Sequence, residues 1–279
     1  MRQNNNIVCV IIPITLMVIL GSVFCYLDAV IIKHSFTPLI NDQNAVTNYT
    51  KSVPNIKQLF TCKDPNIGNV QIGFNSDITT FNDIKKRRNT FPVDQISKLP
   101  LIDQYAIVYG ELLQNNQKAL SPFFKSLKDS LKFKKCSQND VSRIVVQLVQ
   151  NIPYRFIHYN SCQYWMNQED HYTPCESYAK PFGVIGPYEV CVNEYGDCDS
   201  KALLAYQLLK WFNIPANIWW SDVYHHAIIG IAYIDVQDLS AKYKIVNSKY
   251  YYTADLTTND PIGKLKPIYA NLDNWKIIL

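Results

Sequence analysis

A chain of 279 residues, 48% of them hydrophobic, is long enough for one large domain, or a domain with an appendage, built on a sizeable core. A net charge of +4 is too mild to indicate a nucleic-acid partner, because no basic face interleaved with aromatics accompanies it. The one basic run, Lys85-Lys86-Arg87-Arg88, reads as a solvated loop.

Residues 7–27 form an almost uncharged apolar run, interrupted only by Pro13, Thr15, Gly21 and Ser22. It is long enough to cross a bilayer as a helix, which takes about 20 residues, and it lacks the small-residue end of a cleavable signal. An uncleaved single-pass anchor within residues 1–33 is therefore expected, with the remainder outside the cytoplasm. Residues 34–54 are polar and aperiodic, as in a linker, and carry one glycosylation triplet, Asn48-Tyr49-Thr50.

Residues 55–135 read as a mixed, mainly helical extension. Short strands are expected at Val70 to Phe74 and Ile78 to Phe81, on either side of Asn75-Ser76-Asp77. From Leu101 the apolar residues recur at helical spacing, and a second helix is expected over Ser121 to Phe133. The third helix has Ser137 as its cap, Asp140 three residues on, and a stripe of Val141, Ile144, Val145, Leu148 and Val149. Pro153 ends it.

Residues 136–279 form the second expected domain. Tyr154 to Tyr195 are rich in Tyr, Pro and Cys without sustained periodicity, and read as a functional loop. Gly196-Asp197-Cys198 then opens an apolar helix carrying Ala202, Leu203, Ala205, Leu208, Leu209 and Phe212. Short β-rich segments follow at Ala216 to Trp220, His226 to Ile234, Tyr243 to Val246, Tyr250 to Ala254 and Trp275 to Leu279. Helices followed by strands predict an α+β fold, with a mainly antiparallel sheet against the cysteine helix.

Eight cysteines are present, six of them beyond the anchor, which favours an oxidising compartment. Cys62 with Cys136, and a pair drawn from Cys162, Cys175 and Cys191, are plausible disulfides. Cys198 is the candidate nucleophile. A helix N-terminus favours its thiolate, and the same backbone N–H groups can donate to an oxyanion. Asp197 and Asp199 oppose that ionisation unless Asp197 caps the helix and Asp199 points away or pairs with Lys201. An imidazole must then supply most of the activation.

His225 and His226 are adjacent, so on a strand they face opposite ways. If His226, Ile228 and Gly230 share the face that meets the cysteine helix, His226 is the base. Asp255 would hold its tautomer. A zinc site from Cys191, Cys198, His225 and His226 lacks ligand spacing, and no metal or other cofactor is called for.

At these residues the chain resembles the transglutaminase-like superfamily of papain-type cysteine enzymes. Pro187-Tyr188-Glu189-Val190, Gly196-Asp197-Cys198, His226-Ala227 and Asp255-Leu256-Thr257 occupy the places of its motifs. Ile228 stands where tryptophan often follows the histidine, and Leu256 where proline follows the aspartate. The resemblance covers roughly half the chain and implies a papain-like core, a Cys198–His226–Asp255 triad, a thioester intermediate, and a peptide or protein substrate. The Gly-Asp-Cys-Asp form is closest to bacterial members, for which hydrolysis is as open as crosslinking. Tyr188 and Gln163 are the candidates to assist the oxyanion. The alternative is a non-catalytic binding or scaffold module of the same fold.

Overall fold

Strict alternation of buried and exposed residues makes Lys57–Asp64 (β1) and Gly68–Asn75 (β2) an antiparallel hairpin, with Cys62 opposite Val70. It opens the part of the chain that the computed structural model describes, namely residues 57–158, 175–176, 182–232 and 236–279. The expected anchor, the linker, the Asn48 triplet and Gln163 lie outside these residues.

The expected strand at Ile78 to Phe81 is instead the start of a helix, Ile78–Asn89 (α1). Asp77 caps it, accepting from the backbone N–H of Thr79 and Thr80 at 3.1 Å each. The basic run lies in its last two turns, not in a loop. Cations favour that end of a helix, and Arg88 turns inward to a buried ion pair with Glu189 at 2.9 Å. A single turn at Val93–Ile96 (α2) follows.

The two helices expected between Leu101 and Phe133 are one, Leu101–Phe133 (α3), and it continues through Pro122. Proline removes the N–H that would bond to the Lys118 carbonyl. The Ser121 hydroxyl takes that place, donating to Lys118 O at 2.8 Å. Gln138–Gln150 (α4) has the capping box that Ser137 and Asp140 predict, with bonds of 3.2 and 2.8 Å.

Within the stretch expected to be loop, Phe156–Ile157 (β3) pairs in parallel with Cys175–Glu176 (β4), and Pro187–Asn193 forms a helix (α5). That helix is held from a distance. Buried Asn116 of α3 accepts from the Tyr188 N–H at 2.9 Å, and a side chain at Gly186 would collide with Asn116. Only glycine admits this contact.

Cys198–Trp211 (α6) is buried around most of its circumference, as expected for a central helix. It packs against Ala216–Ser221 (β5) and His226–Ile231 (β6). With Tyr243–Val246 (β7), Lys249–Ala254 (β8) and Lys276–Ile277 (β9), these make a five-stranded antiparallel sheet in the order β7-β8-β6-β5-β9. The fold is α+β.

One continuous core takes residues from β1, β2, α3, α4, α5 and α6, and from one face of the sheet. On that face lie Ala227, Ile229 and Ile231 of β6, with Ile218, Trp220 and Ala254. The other face carries Trp219 and Ile228, which pack on Trp275 in a separate buried cluster. Cys62, Cys136, Cys191 and Cys198 are all free thiols, so the expected Cys62–Cys136 disulfide is not formed. Among the described residues, no helix is long and apolar enough to cross a membrane.

Candidate functional site

The approach to Cys198 is fixed by backbone. Gly196 bridges to Tyr154, receiving at its carbonyl the Arg155 N–H and donating its own N–H to Pro153 O, each at 3.2 Å. A Cβ there would crowd Lys201 Cγ at 3.2 Å. Asp197 caps α6 as the alternation of roles required, accepting from the Ser200 N–H at 3.0 Å. Cys198 is the first residue of the helix and is 7% exposed.

His226 opens β6, and Asp255 follows the last residue of β8. The cross-strand register that places Ile229 opposite Ala254 puts Asp255 beside β6, on the same face as His226. The His226 Nε2 atom lies 3.1 Å from Asp255 Oδ2. The other carboxylate oxygen accepts from the Thr257 N–H at 2.9 Å and the Thr257 hydroxyl at 2.7 Å. With Nε2 engaged, Nδ1 is the ring nitrogen left to exchange a proton. Tyr269 stacks on the imidazole at 4.9 Å and 24°, and Trp275 meets it edge-on at 6.0 Å.

The expectation that the histidine face meets the cysteine helix is corrected. His226 shares its face with Ile228, whose neighbours are Trp219 and Trp275, whereas the helix packs on the face of Ala227 and Ile229. The two sides meet at the strand's first residues. The Ala227 N–H acts to lower the pKa of the Cys198 thiol, while the preceding side chain faces Asp255. His225, in the turn at φ 46°, is exposed.

Asp199 neither points away nor pairs with Lys201. The Cys198 thiol donates to Asp199 Oδ2 at 3.2 Å, and the Tyr109 hydroxyl donates to Oδ1. No hydrogen bond joins the thiol to the imidazole. Burial, followed by the charges of Asp199 and Asp197, pushes the thiol well above its ordinary pKa, and the Ala227 N–H offsets only part of this. Burial and Asp199 also push Asp197 up to about 8, so the two neighbouring carboxyls do not both carry full charge at neutral pH. Asp255 moves the other way. Burial would raise it, but His226 and the Thr257 donors together bring it below the usual carboxylate range.

Of the oxyanion candidates, Tyr188 is not brought to the thiol. Its hydroxyl bonds to the backbone of Asp77, donating to Asp77 O at 3.2 Å and accepting from Asp77 N at 3.1 Å. Three tyrosines that interact with this group of charges, Tyr105, Tyr109 and Tyr154, are not among the candidates the sequence offers. Burial and the charges of Cys198, Asp197 and Asp199 all act to keep the Tyr105 and Tyr154 phenols protonated, hence donors. In the sequence, Tyr105 and Tyr109 belong to a helical stripe, and Tyr154 is the first residue of the expected functional loop. Lys201 is 1% exposed and donates to Ile152 O at 2.8 Å and Gln150 O at 3.3 Å.

Among the described residues, no group of three or more His, Cys, Asp or Glu side chains is arranged to hold a metal ion. No family model matches the chain, and no curated protein or solved structure matches it either.

Proposed function

We propose that this protein is a cysteine acyl-transfer enzyme of transglutaminase-like type, acting on an amide of a peptide or protein. The observation that carries the reading is the buried His226–Asp255 pair, 3.1 Å apart, at the strand end whose next N–H acts to favour the Cys198 thiolate. The motif resemblance agrees with it, and a papain-like core is part of the same proposal.

In the reaction, His226 Nδ1 takes the thiol proton and the thiolate attacks the amide carbonyl carbon. The oxyanion is met by the free N–H of Cys198 at the helix start. Collapse to a thioester releases the amine, which leaves with the proton held by the imidazolium. Water or a second amine then attacks the thioester and regenerates the thiol. Asp255 fixes the tautomer and stabilises the imidazolium throughout. The apolar run at residues 7–27 supports anchorage in a membrane, with this domain outside the cytoplasm.

A specific observation favours a second reading, a non-catalytic binding or scaffold module. The thiol is hydrogen-bonded to a carboxylate and held in its neutral form. An electrophilic thiol probe separates the two. The enzyme reading expects Cys198 to label faster than in the denatured chain, and more slowly in His226→Ala. Equal labelling in all three supports the module.

A further inference from the structure

We propose that Lys201 is a positioning residue of this site: its ammonium joins the cysteine helix to the Asp255 loop and supplies positive charge to both the thiolate and Asp255. The inference rests on the acyl-transfer reading above.

Lys201 lies three residues after Cys198, on the same side of α6. Its stem lies against Gly196 and its Nζ reaches the carbonyls at the end of α4, Ile152 O at 2.8 Å and Gln150 O at 3.3 Å. Gln150 extends the connection. Its side-chain amide donates to Asp255 O at 2.9 Å and to Asp260 O at 2.8 Å. Nucleophile helix, lysine, helix end, glutamine and the loop carrying the orienting carboxylate thus form one continuous hydrogen-bonded path.

A lysine in this place has a cost that a purely structural side chain would avoid. Burying an ammonium is unfavourable, and a methionine of similar length would fill the volume without it. Two carbonyls alone do not balance a full positive charge. Burial lowers the pKa of Lys201 to about 8, and against that larger effect the Asp255 carboxylate and, once formed, the Cys198 thiolate favour its protonated form. The same interactions, read in reverse, favour the carboxylate and the thiolate. They act against the charge of Asp199 and Asp197 beside the thiol, while burial foremost holds Tyr105, Tyr109, Tyr154 and Tyr269 neutral.

The test is the pH profile of Cys198 alkylation by iodoacetamide in the full chain, quantified at Cys198 by mass spectrometry, for wild type, Lys201→Met and Lys201→Arg. Lys201→Met is expected to slow labelling about tenfold between pH 6 and 7.5, the effect of about one pKa unit. The gap closes above about pH 8, where the wild-type lysine loses its charge. Lys201→Arg restores most of the rate. A Lys201→Met profile that matches wild type at every pH, with only the melting temperature lowered, overturns the proposal. If Lys201→Met does not fold, the lysine Nζ resonance is titrated by NMR in wild type and Asp255→Asn. A lower Lys201 pKa in the asparagine variant is expected, and identical titrations overturn the proposal. His226→Ala labelling keeps the two questions apart: no slowing there removes the acyl-transfer reading itself, whereas slowing there without a Lys201 effect removes only this one.

Discussion

The Cys198 thiol lies 3.2 Å from Oδ2 of Asp199, its neighbour in the chain, and donates to that carboxylate. The same carboxylate accepts from Tyr109, so it is anchored from α3 and cannot simply swing away. The resting thiol is therefore masked, and the imidazole must compete with a carboxylate for its proton.

Replacing Asp199 by Asn removes that charge while keeping an oxygen for Tyr109. Alkylation of Cys198 at pH 7.5 is expected to accelerate by about tenfold, corresponding to about one unit off the thiol pKa. Rates measured at Cys198 that match wild type would show that the contact does not restrain the thiol.

Asp197 offers a test with a definite sign. Its carboxyl is raised from 3.8 to about 8 in the fold, so its contribution to stability is full below pH 3.8 and is lost as pH rises toward 8. Asp197→Asn keeps an oxygen for the Ser200 N–H but cannot ionise. Melting curves should show the variant gaining on wild type from about pH 5 to pH 9, and the difference vanishing near pH 3.5. A constant offset across that range would mean that the carboxyl stays ionised in the fold.

Asp255 behaves oppositely. Its pKa is lowered in the fold, so its stabilisation is present above the unfolded value of 3.8 and disappears as pH falls through the lower folded one. Asp255→Asn should melt earlier than wild type at pH 7, with the gap narrowing below about pH 4. In the enzyme reading it also loses on the order of 10³-fold or more in turnover of an amide substrate, because an amide no longer fixes the tautomer.

Gly230 is packed under an indole. A Cβ there would meet three atoms of the Trp219 ring at 2.6–2.7 Å, and Trp219 is fully buried. Gly230→Ala is expected to cost about 1–3 kcal/mol by overpacking, read as a lowered denaturant midpoint. A variant as stable as wild type would mean that the indole has room to shift.

These details were unevenly legible in the sequence. The Ser137 cap, the apolar helix after Cys198 and most strands of the sheet follow from local pattern, because each is decided within a few residues. The single helix through Pro122 was not legible, since proline predicts a break and only the Ser121 hydroxyl repairs it. Ile78 to Phe81 is too short a run to tell a strand from the helix that Asp77 caps. The short helix Pro187–Asn193 depends on Asn116, more than 70 residues earlier. A pairing of Asp199 with Lys201 fails because residues two apart on a helix do not face each other. Alternation does not reach His225, which lies in the turn before β6, and it does not say which face of β6 meets the helix. That choice is made by Trp219 and Trp275, through tertiary packing.

The division of the sheet into two cores gives Cys198 and His226 separate foundations. Cys198 stands on the large core and His226 on the small cluster of Trp219, Ile228 and Trp275. The small cluster is closed from outside by Tyr224, Tyr269 and Leu272, and a unit of that size opens more readily than the whole domain. In the enzyme reading, damage there silences the site while leaving the molecule folded and Cys198 in place. On that reading, loss of chemistry and loss of fold are separable by where a residue lies relative to one strand.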